Sequence, residues 1–320
     1  MLFLNERDIR ESLTMEEAID AIDDAYRLYE SQKFQMPTRM KLTDEPNALI
    51  VMPCLTDDAI GTKLVTSFPN NEKLPTLHGL VVLNSSETGE IQAIMDGSFI
   101  TGFRTGAIGG SAIRHLAPED TKKIAIIGTG VQGLYQAIAA SAIRPITDIY
   151  LYNRSAEKLD AFIGAFQSWV SAPITIHKTD RVEEAAANAD VIITTTTSNT
   201  PVLTNDAEVL AGKLIVGIGS FLPTMREFPD ELYSITDQIF IDSHDAVEES
   251  GDLITPLDNQ WIKKEQIQTI SSFIQQGGAL THQSDKSIIF KSTGMALFDV
   301  VVAKAIYEKA KQNDVGTFLR

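Results

Sequence analysis

The stretch that most limits what this chain can become is Lys122-Lys123-Ile124-Ala125-Ile126-Ile127-Gly128-Thr129-Gly130-Val131-Gln132-Gly133. Residues 123–127 are mostly β-branched and apolar, three glycines follow in the spacing Gly-x-Gly-x-x-Gly, and 134–143 is helix-forming. That order predicts a strand, a tight turn and a helix start. Gly128 permits the turn, Gly130 lets backbone approach a pyrophosphate, and Gly133 lets helix and strand pack closely. The first helical N–H groups, at Val131, Gln132 and Gly133, then point partial positive charge at phosphates. Glycine turns alone are common, but a second strand over 149–152 completes the context of a dinucleotide site.

The rest of the chain arranges itself around that turn. Thr14-x-x-Glu17 reads as a capping box, and Met15, Ile19, Ile22, Tyr26 and Tyr29 recur at helical spacing, so 14–33 is an amphipathic helix. Short strands follow over 48–52, 60–67, 79–84 and 90–95, the last two forming a hairpin. Residues 98–116 turn helical with many small side chains, which cost helix stability unless another backbone or a ligand comes close. Beyond Pro118 strand and helix alternate: strands 123–127, 148–152, 174–177, 190–195, 213–218 and 238–241, with helices 131–143, 156–170 and 181–188. Alternation of this kind predicts a doubly wound parallel sheet. Residues 244–285 read as helices and loops, with Glu248, Glu249 and Asp252 on a solvated face. A strand over 287–290 and a helix over 294–312, with Leu297, Val301 and Ala305 on one face, close the chain. The fold class expected is a Rossmann α/β domain, residues 119–293, inserted into an α+β domain made of 1–118 and 294–320.

Charge narrows the partners. A formal net charge of −16 repels nucleic acid and anionic membrane, so an anionic ligand needs locally concentrated basic residues. One cysteine, Cys54, excludes an internal disulfide and reads as a small buried hydrophobe. Neither a signal-peptide start nor an apolar run of about 18 residues is present, and a cytoplasmic location is expected. The histidines at 78, 115, 177, 244 and 282 form no ligand pair, so no metal site is expected. No Gly-x-Ser-x-Gly elbow supplies a hydrolase nucleophile.

A Rossmann second strand that selects NAD ends in an acidic residue for the ribose 2′-hydroxyl. Here it ends in Asn153-Arg154-Ser155. With arginine in place of a carboxylate a 2′-phosphate is tolerated, so NADP(H) is favoured and NAD(H) is the alternative. A solvated Arg154 beside a helix-capping Ser155 would give the same residues. Thr195, Thr196 and Thr197 fall where a parallel sheet presents its ligand edge, and threonine is equally an ordinary strand residue. In the first domain Arg39, Lys63 and Arg104 are the cations a carboxylate substrate would use, although each could equally be salt-bridged or solvated.

These residues together resemble the ornithine cyclodeaminase/mu-crystallin family. The likeness lies in Leu74-Pro75-Thr76-Leu77-His78-Gly79, Glu87-Thr88-Gly89-Glu90, Met95-Asp96-Gly97 and Thr101-Gly102-Phe103-Arg104-Thr105-Gly106-Ala107. It continues through Gly128-Thr129-Gly130-Val131-Gln132, the threonine run, Gly219-Ser220 with Pro223 and Glu227, and Phe290-x-Ser292-x-Gly294. The resemblance implies a homodimer whose first domain binds an amino-acid or cyclic-imine substrate and forms the dimer interface. It implies carboxylate-binding arginines at Arg39 and Arg104, an active-site lysine at Lys63, and Thr105 and Ser292 near the nicotinamide. Ornithine cyclodeaminases of the family carry an aspartate two residues before the proline where this chain has Phe221, and a phenyl ring moves no proton. The implied activity is therefore an NAD(P)H-dependent ketimine reductase, pyrroline-2-carboxylate to proline. Alanine dehydrogenase, ornithine cyclodeaminase and a non-catalytic NADPH-binding protein are the alternatives. Met52 and Phe221 are the expected pocket walls that set ring size.

Overall fold

The computed structural model describes residues 1–278, 280 and 285–319. In chain order the strands and helices begin with β1 (Leu2–Leu4), α1 (Glu6–Ser12), α2 (Met15–Ser31), β2 (Phe34–Gln35), β3 (Met40–Asp44) and β4 (Asn47–Thr56). Next come β5 (Ile60–Ser67), β6 (Leu77–Asn84), β7 (Ile91–Asp96), α3 (Gly97–Leu116), β8 (Lys123–Ile127), α4 (Val131–Ile143), β9 (Asp148–Tyr152) and α5 (Leu159–Gln167). Then follow β10 (Thr175–Lys178), α6 (Val182–Ala187), β11 (Val191–Thr194), α7 (Ala207–Leu210), β12 (Leu214–Gly217), α8 (Asp230–Ser234) and β13 (Thr236–Ile241). The last are α9 (Ala246–Glu249), α10 (Gly251–Asp258), β14 (Ile267–Thr269), α11 (Ile270–Gln275), β15 (Ser287–Lys291), α12 (Ala296–Gln312) and β16 (Thr317–Phe318). The chain forms two compact units, Met1–Arg104 with Met295–Arg320, and Thr105–Gly294. The division falls inside α3 rather than at Pro118.

The first unit is a mixed sheet in the order β16-β1-β7-β6-β5-β4-β2, with β3 paired to β4. Among the described residues only β1 and β7 pair in parallel; the other pairs of this sheet are antiparallel. Helix α2 starts on the expected capping box: Thr14 Oγ1 accepts from the Glu17 amide and the Glu17 carboxylate accepts from the Thr14 amide. Glu17 is also paired to Lys309 of α12, and that bond holds its carboxyl below the usual range. Helix α12 lies close against the sheet, since a Cβ on Gly61 would fall 2.6 Å from Val300. Its buried face is Leu297, Phe298, Val302, Ala303, Ile306 and Ala310. Val301 and Ala305 are only half-buried, so the apolar face expected at 297, 301 and 305 is rotated. Strands β1 and β3 and helix α1 carried too short or too polar a pattern to be foreseen.

The second unit is an entirely parallel eight-stranded sheet in the order β10-β9-β8-β11-β12-β15-β13-β14. The sheet is doubly wound from β8, as the alternation predicted. Two details differ from expectation. Residues 156–170 form a single 3₁₀ turn and then α5, and Ser155 makes no side-chain cap. Residues 267–269, expected to be loop or helix, pair with β13 as the edge strand β14. The small residues of α3 are explained by close neighbours: a Cβ at Gly106 would meet the Tyr135 carbonyl oxygen at 2.6 Å and one at Gly109 the Gln136 Oε1 at 1.7 Å. Gln136 fixes that contact by donating to the Thr105 carbonyl at 2.7 Å.

Candidate active site

In the first unit, antiparallel register places Met52, Lys63, Val81 and Met95 opposite one another in a row across β4, β5, β6 and β7. Directly opposed residues share a face. Three of the four are apolar, and all four are buried, Lys63 with 3% of its surface exposed. A buried ammonium in such a row needs a counter-charge. Asp299 of α12 supplies it: its Oδ2 lies 2.7 Å from Lys63 Nζ and its Oδ1 accepts from Arg104 Nε at 2.9 Å. Asp299 is fully buried. The sequence reading missed it, since a single aspartate in a terminal helix reads as solvated. The signal was present, because Leu297, Phe298, Val300 and Val302 surround it with apolar neighbours and a carboxylate there must be paired.

This cluster tunes Lys63. Burial lowers its pKa most, Asp299 raises it, and the positive fields of Arg104 and Arg39 lower it, leaving it at about 8. Arg39 is half-buried ahead of β3 and acts on Lys63 through its field. Cys54, on β4, is buried and its thiol is pushed up to about 12, first by burial and then by the Asp299 charge. It stays a thiol, in keeping with a packing role. The Asp299 bond occupies Arg104 Nε, whereas the end-on grip on a carboxylate uses the two Nη atoms. Lys63 and Arg104 against one aspartate leave the cluster positively charged, which suits an anionic ligand.

In the second unit Gly128 has φ +103°, a conformation that excludes a side chain without strain. Its carbonyl accepts from Thr195 Oγ1 at 2.6 Å. A Cβ at Gly133 would lie 2.2 Å from the Gly128 carbonyl oxygen, so close packing requires glycine there. A Cβ at Gly130 would meet nothing within 4 Å. Protein packing therefore gives no reason for glycine at 130, whereas close approach of a pyrophosphate does. Gly130 is the N-cap of α4 and provides no side-chain cap, so the N–H groups of Val131, Gln132 and Gly133 remain for a phosphate. These features fit a dinucleotide.

Around the turn lies a pocket of about 580 Å³ lined by Gly128, Thr129, Gly130, Asn153, Arg154 and Thr195–Thr197, among others. Asn153 helps shape it by donating to Thr129 Oγ1 at 2.6 Å. Lys158 also lines it, a second cation the sequence reading passed over, and no carboxylate does. Val131, Gln132, Gly133, Ser155, Thr105, Ser292 and Phe221 are not among its lining residues. Ser292 Oγ instead donates to Asp242 Oδ2 at 2.6 Å, joined there by the Thr293 and Gly294 amides. Phe221 is 41% exposed. Asp252, expected on a solvated face, is fully buried, because its Oδ1 accepts from the Glu227 and Phe228 amides.

Among the described residues no group of three or more His, Cys, Asp and Glu is placed to hold a metal ion, and no helix is long and apolar enough to cross a membrane. His282 lies outside the described residues.

Comparisons with known proteins agree with this geometry. A Delta(1)-pyrroline-2-carboxylate reductase of Bacillus cereus is 35% identical over 99% of this chain and 98% of its own. The solved Thermococcus litoralis Delta(1)-pyrroline-2-carboxylate reductase, in complex with NADH and L-proline, superposes with a TM-score of 0.91 at 29% identity, covering 100% of both chains. An archaeal alanine dehydrogenase dimer with bound NAD superposes at 0.90 with 31% identity, covering 100% of this chain and 99% of that one. The family model for the ornithine cyclodeaminase/mu-crystallin family matches residues 1–314. With its turn, its sheet and its whole length accounted for in this way, the chain belongs to the ornithine cyclodeaminase/mu-crystallin family.

Proposed function

We propose that this chain is an NAD(P)H-dependent reductase of a cyclic imino acid, converting pyrroline-2-carboxylate to proline. The observation that carries the reading is the buried Lys63–Asp299–Arg104 cluster, whose lysine sits at a pKa of about 8 and can give up a proton near neutral pH. Full-length similarity to pyrroline-2-carboxylate reductases supports the substrate.

Reduction of the ring adds a hydride to the imine carbon and a proton to the nitrogen; a bound dihydronicotinamide would supply the hydride. Arg104 and Arg39 grip the substrate carboxylate and fix the ring, a bidentate grip being what guanidinium offers. Lys63 donates the proton to the ring nitrogen, and the Asp299 carboxylate holds the ammonium in place beforehand. Met52, opposite Lys63 in the sheet, would offer the substrate ring an apolar wall. Phe221 brings no acid or base, which disfavours ornithine cyclisation with ammonia loss.

In the second unit Gly128, Gly130 and the α4 amides would hold the pyrophosphate. Arg154 and Lys158, with no carboxylate among the pocket residues, favour NADPH over NADH. The first unit is assigned to substrate binding and dimerisation. Its exposed apolar side chains Met40, Leu42, Leu74 and Leu77 are the surface a second copy would cover.

Purified protein given pyrroline-2-carboxylate should consume NADPH, and NADH more slowly. Unchanged dihydronicotinamide absorbance with both cofactors would overturn the reading. Alanine dehydrogenase is the second reading, favoured by the similarity to the archaeal enzyme. Pyruvate reduction that depends on added ammonia would select it. Tight NADPH binding with no turnover over a panel of imino acids would point to a binding protein.

A further inference from the structure

Among the fully buried charged side chains of the second unit, three that no step above uses form one linked group: Glu227, Asp252 and Lys291. Glu227, between β12 and α8, has both carboxylate oxygens filled. Its Oε1 accepts from the Thr196 amide at 2.6 Å and from Thr196 Oγ1 at 2.8 Å. Its Oε2 accepts from the Gly219 amide at 2.8 Å and the Ser220 amide at 3.1 Å. Four donors on two oxygens leave no place for a proton. Burial pushes its pKa up, while Lys291 and the Thr196 bonds oppose that rise.

Asp252, at the start of α10, holds the backbone of Glu227 in turn, accepting from the Glu227 and Phe228 amides at 2.8 and 2.9 Å. Its other oxygen lies 3.3 Å from Nζ of Lys291, the last residue of β15. Glycines let the segments close on this group. A Cβ at Gly219 would lie 2.0 Å from the Thr196 carbonyl oxygen, and one at Gly217 would lie 2.4 Å from the Phe228 ring. The tied segments follow β11 and β12 and end β15, three neighbouring strands of the sheet. Their carboxyl ends are where a parallel sheet of this kind presents its ligand, and Thr196 lines the pocket itself.

We propose that Glu227 is a positioning residue for dinucleotide binding, clamping the Thr195–Thr197 wall and the Gly219-Ser220 loop in one geometry without touching the ligand. Asp252 and Lys291 are the buried support that fixes Glu227. A carboxamide at 227 would turn one filled acceptor into a donor facing N–H groups, and the wall would open. This inference rests on the reading of the second unit as a nicotinamide-dinucleotide domain.

The test is equilibrium binding of NADPH and NADH to the full-length protein, followed by dihydronicotinamide fluorescence, with steady-state kinetics on pyrroline-2-carboxylate. Glu227→Gln should raise the dinucleotide Kd and KM tenfold or more and leave the imino-acid KM within twofold. Asp252→Asn, which keeps the oxygen for the two amides and loses the charge facing Lys291, should show the same split at about threefold. A Glu227→Gln variant with unchanged Kd overturns the proposal. So does an equal rise in both KM values, or failure of both variants to fold, since each assigns the carboxylates to stability alone. Wild-type protein that binds neither dinucleotide would break the proposed function itself, and the unsubstituted control separates that result from the others.

Discussion

The two units each bury three charged side chains in one cluster, and the clusters have opposite composition. In the first, Lys63 and Arg104 face one carboxylate, Asp299, with Arg39 adding further positive field. In the second, Glu227 and Asp252 face one ammonium, Lys291. The surplus carboxylate of the second cluster is satisfied by the protein, because backbone amides fill its oxygens. Main-chain amides can satisfy a surplus anion but not a surplus cation, which needs carbonyl oxygens or a ligand. The difference separates a cluster whose surplus charge the protein itself satisfies from one whose surplus charge suits an anionic ligand.

The strongest way to break this contrast is to remove the proposed proton donor. Lys63→Ala should lower kcat/KM for imine reduction about a thousandfold, the scale of a lost general acid, and Arg104→Ala should abolish turnover as well. Full activity in both variants would place the site elsewhere. Next in size is Asp299→Asn, which leaves buried cations facing each other and should cost about 3–5 kcal/mol in chemical denaturation. Lys291→Met removes the corresponding lone partner in the other cluster, yet the amides remain on the carboxylates, so about 1–3 kcal/mol is expected. If Lys291→Met proves the costlier of the two, the contrast fails.

Acidity sharpens it further. With Lys63 at about 8, its ammonium is present below that pH, and the reductive rate should fall above it roughly tenfold per pH unit. The charges of Asp299, Arg104 and Arg39 act on it, and the Cys54 thiol, at about 12, does not titrate in that range. For stability the sign is opposite. Folded Lys63 releases its proton at about 8, below its ordinary 10.5, so between these values the unfolded chain holds the extra proton. Stability from this group should therefore rise with pH across that window, and Lys63→Met should flatten the rise. The smallest effect expected is at the pocket rim. Arg154 and Lys158 are exposed, and alanine at either should shift the NADPH-to-NADH preference by about 1 kcal/mol, read as the ratio of kcat/KM values.

The nucleotide half was legible because its logic is local. A strand, three glycines and a helix lie consecutively, and Gly128 and Gly133 show the backbone demands their spacing predicts. Lys63 and Arg104 stood out as basic residues in apolar or small-residue surroundings. What brings them together was not legible, since Asp299 arrives from a helix 195 residues beyond Arg104. Long-range pairing leaves no local period. Asp252 shows the same limit in reverse: beside Glu248 and Glu249 it looks like one more surface acid, and only the distant Lys291 and the Glu227 amide show that it is interior. The edge strand β14 and the polar β3 failed for a third reason, being too short or too hydrophilic to show alternation.

The place of β15 has a consequence for how the protein is made. It is the last strand of its sheet in sequence, yet it sits between β12 and β13. A ribosome releases the chain from the N-terminus, so β13 and β14 emerge before the strand that joins them to β12. Asp299 emerges later still, after Lys63 and Arg104 have been waiting for most of synthesis. Both units therefore close only when the final segment is out, and a chain cut short near residue 286 would lack an interior strand of one sheet and the counter-ion of the other unit's cluster. Such a product would expose apolar sheet edges and be prone to aggregate rather than persist as a half-active fragment.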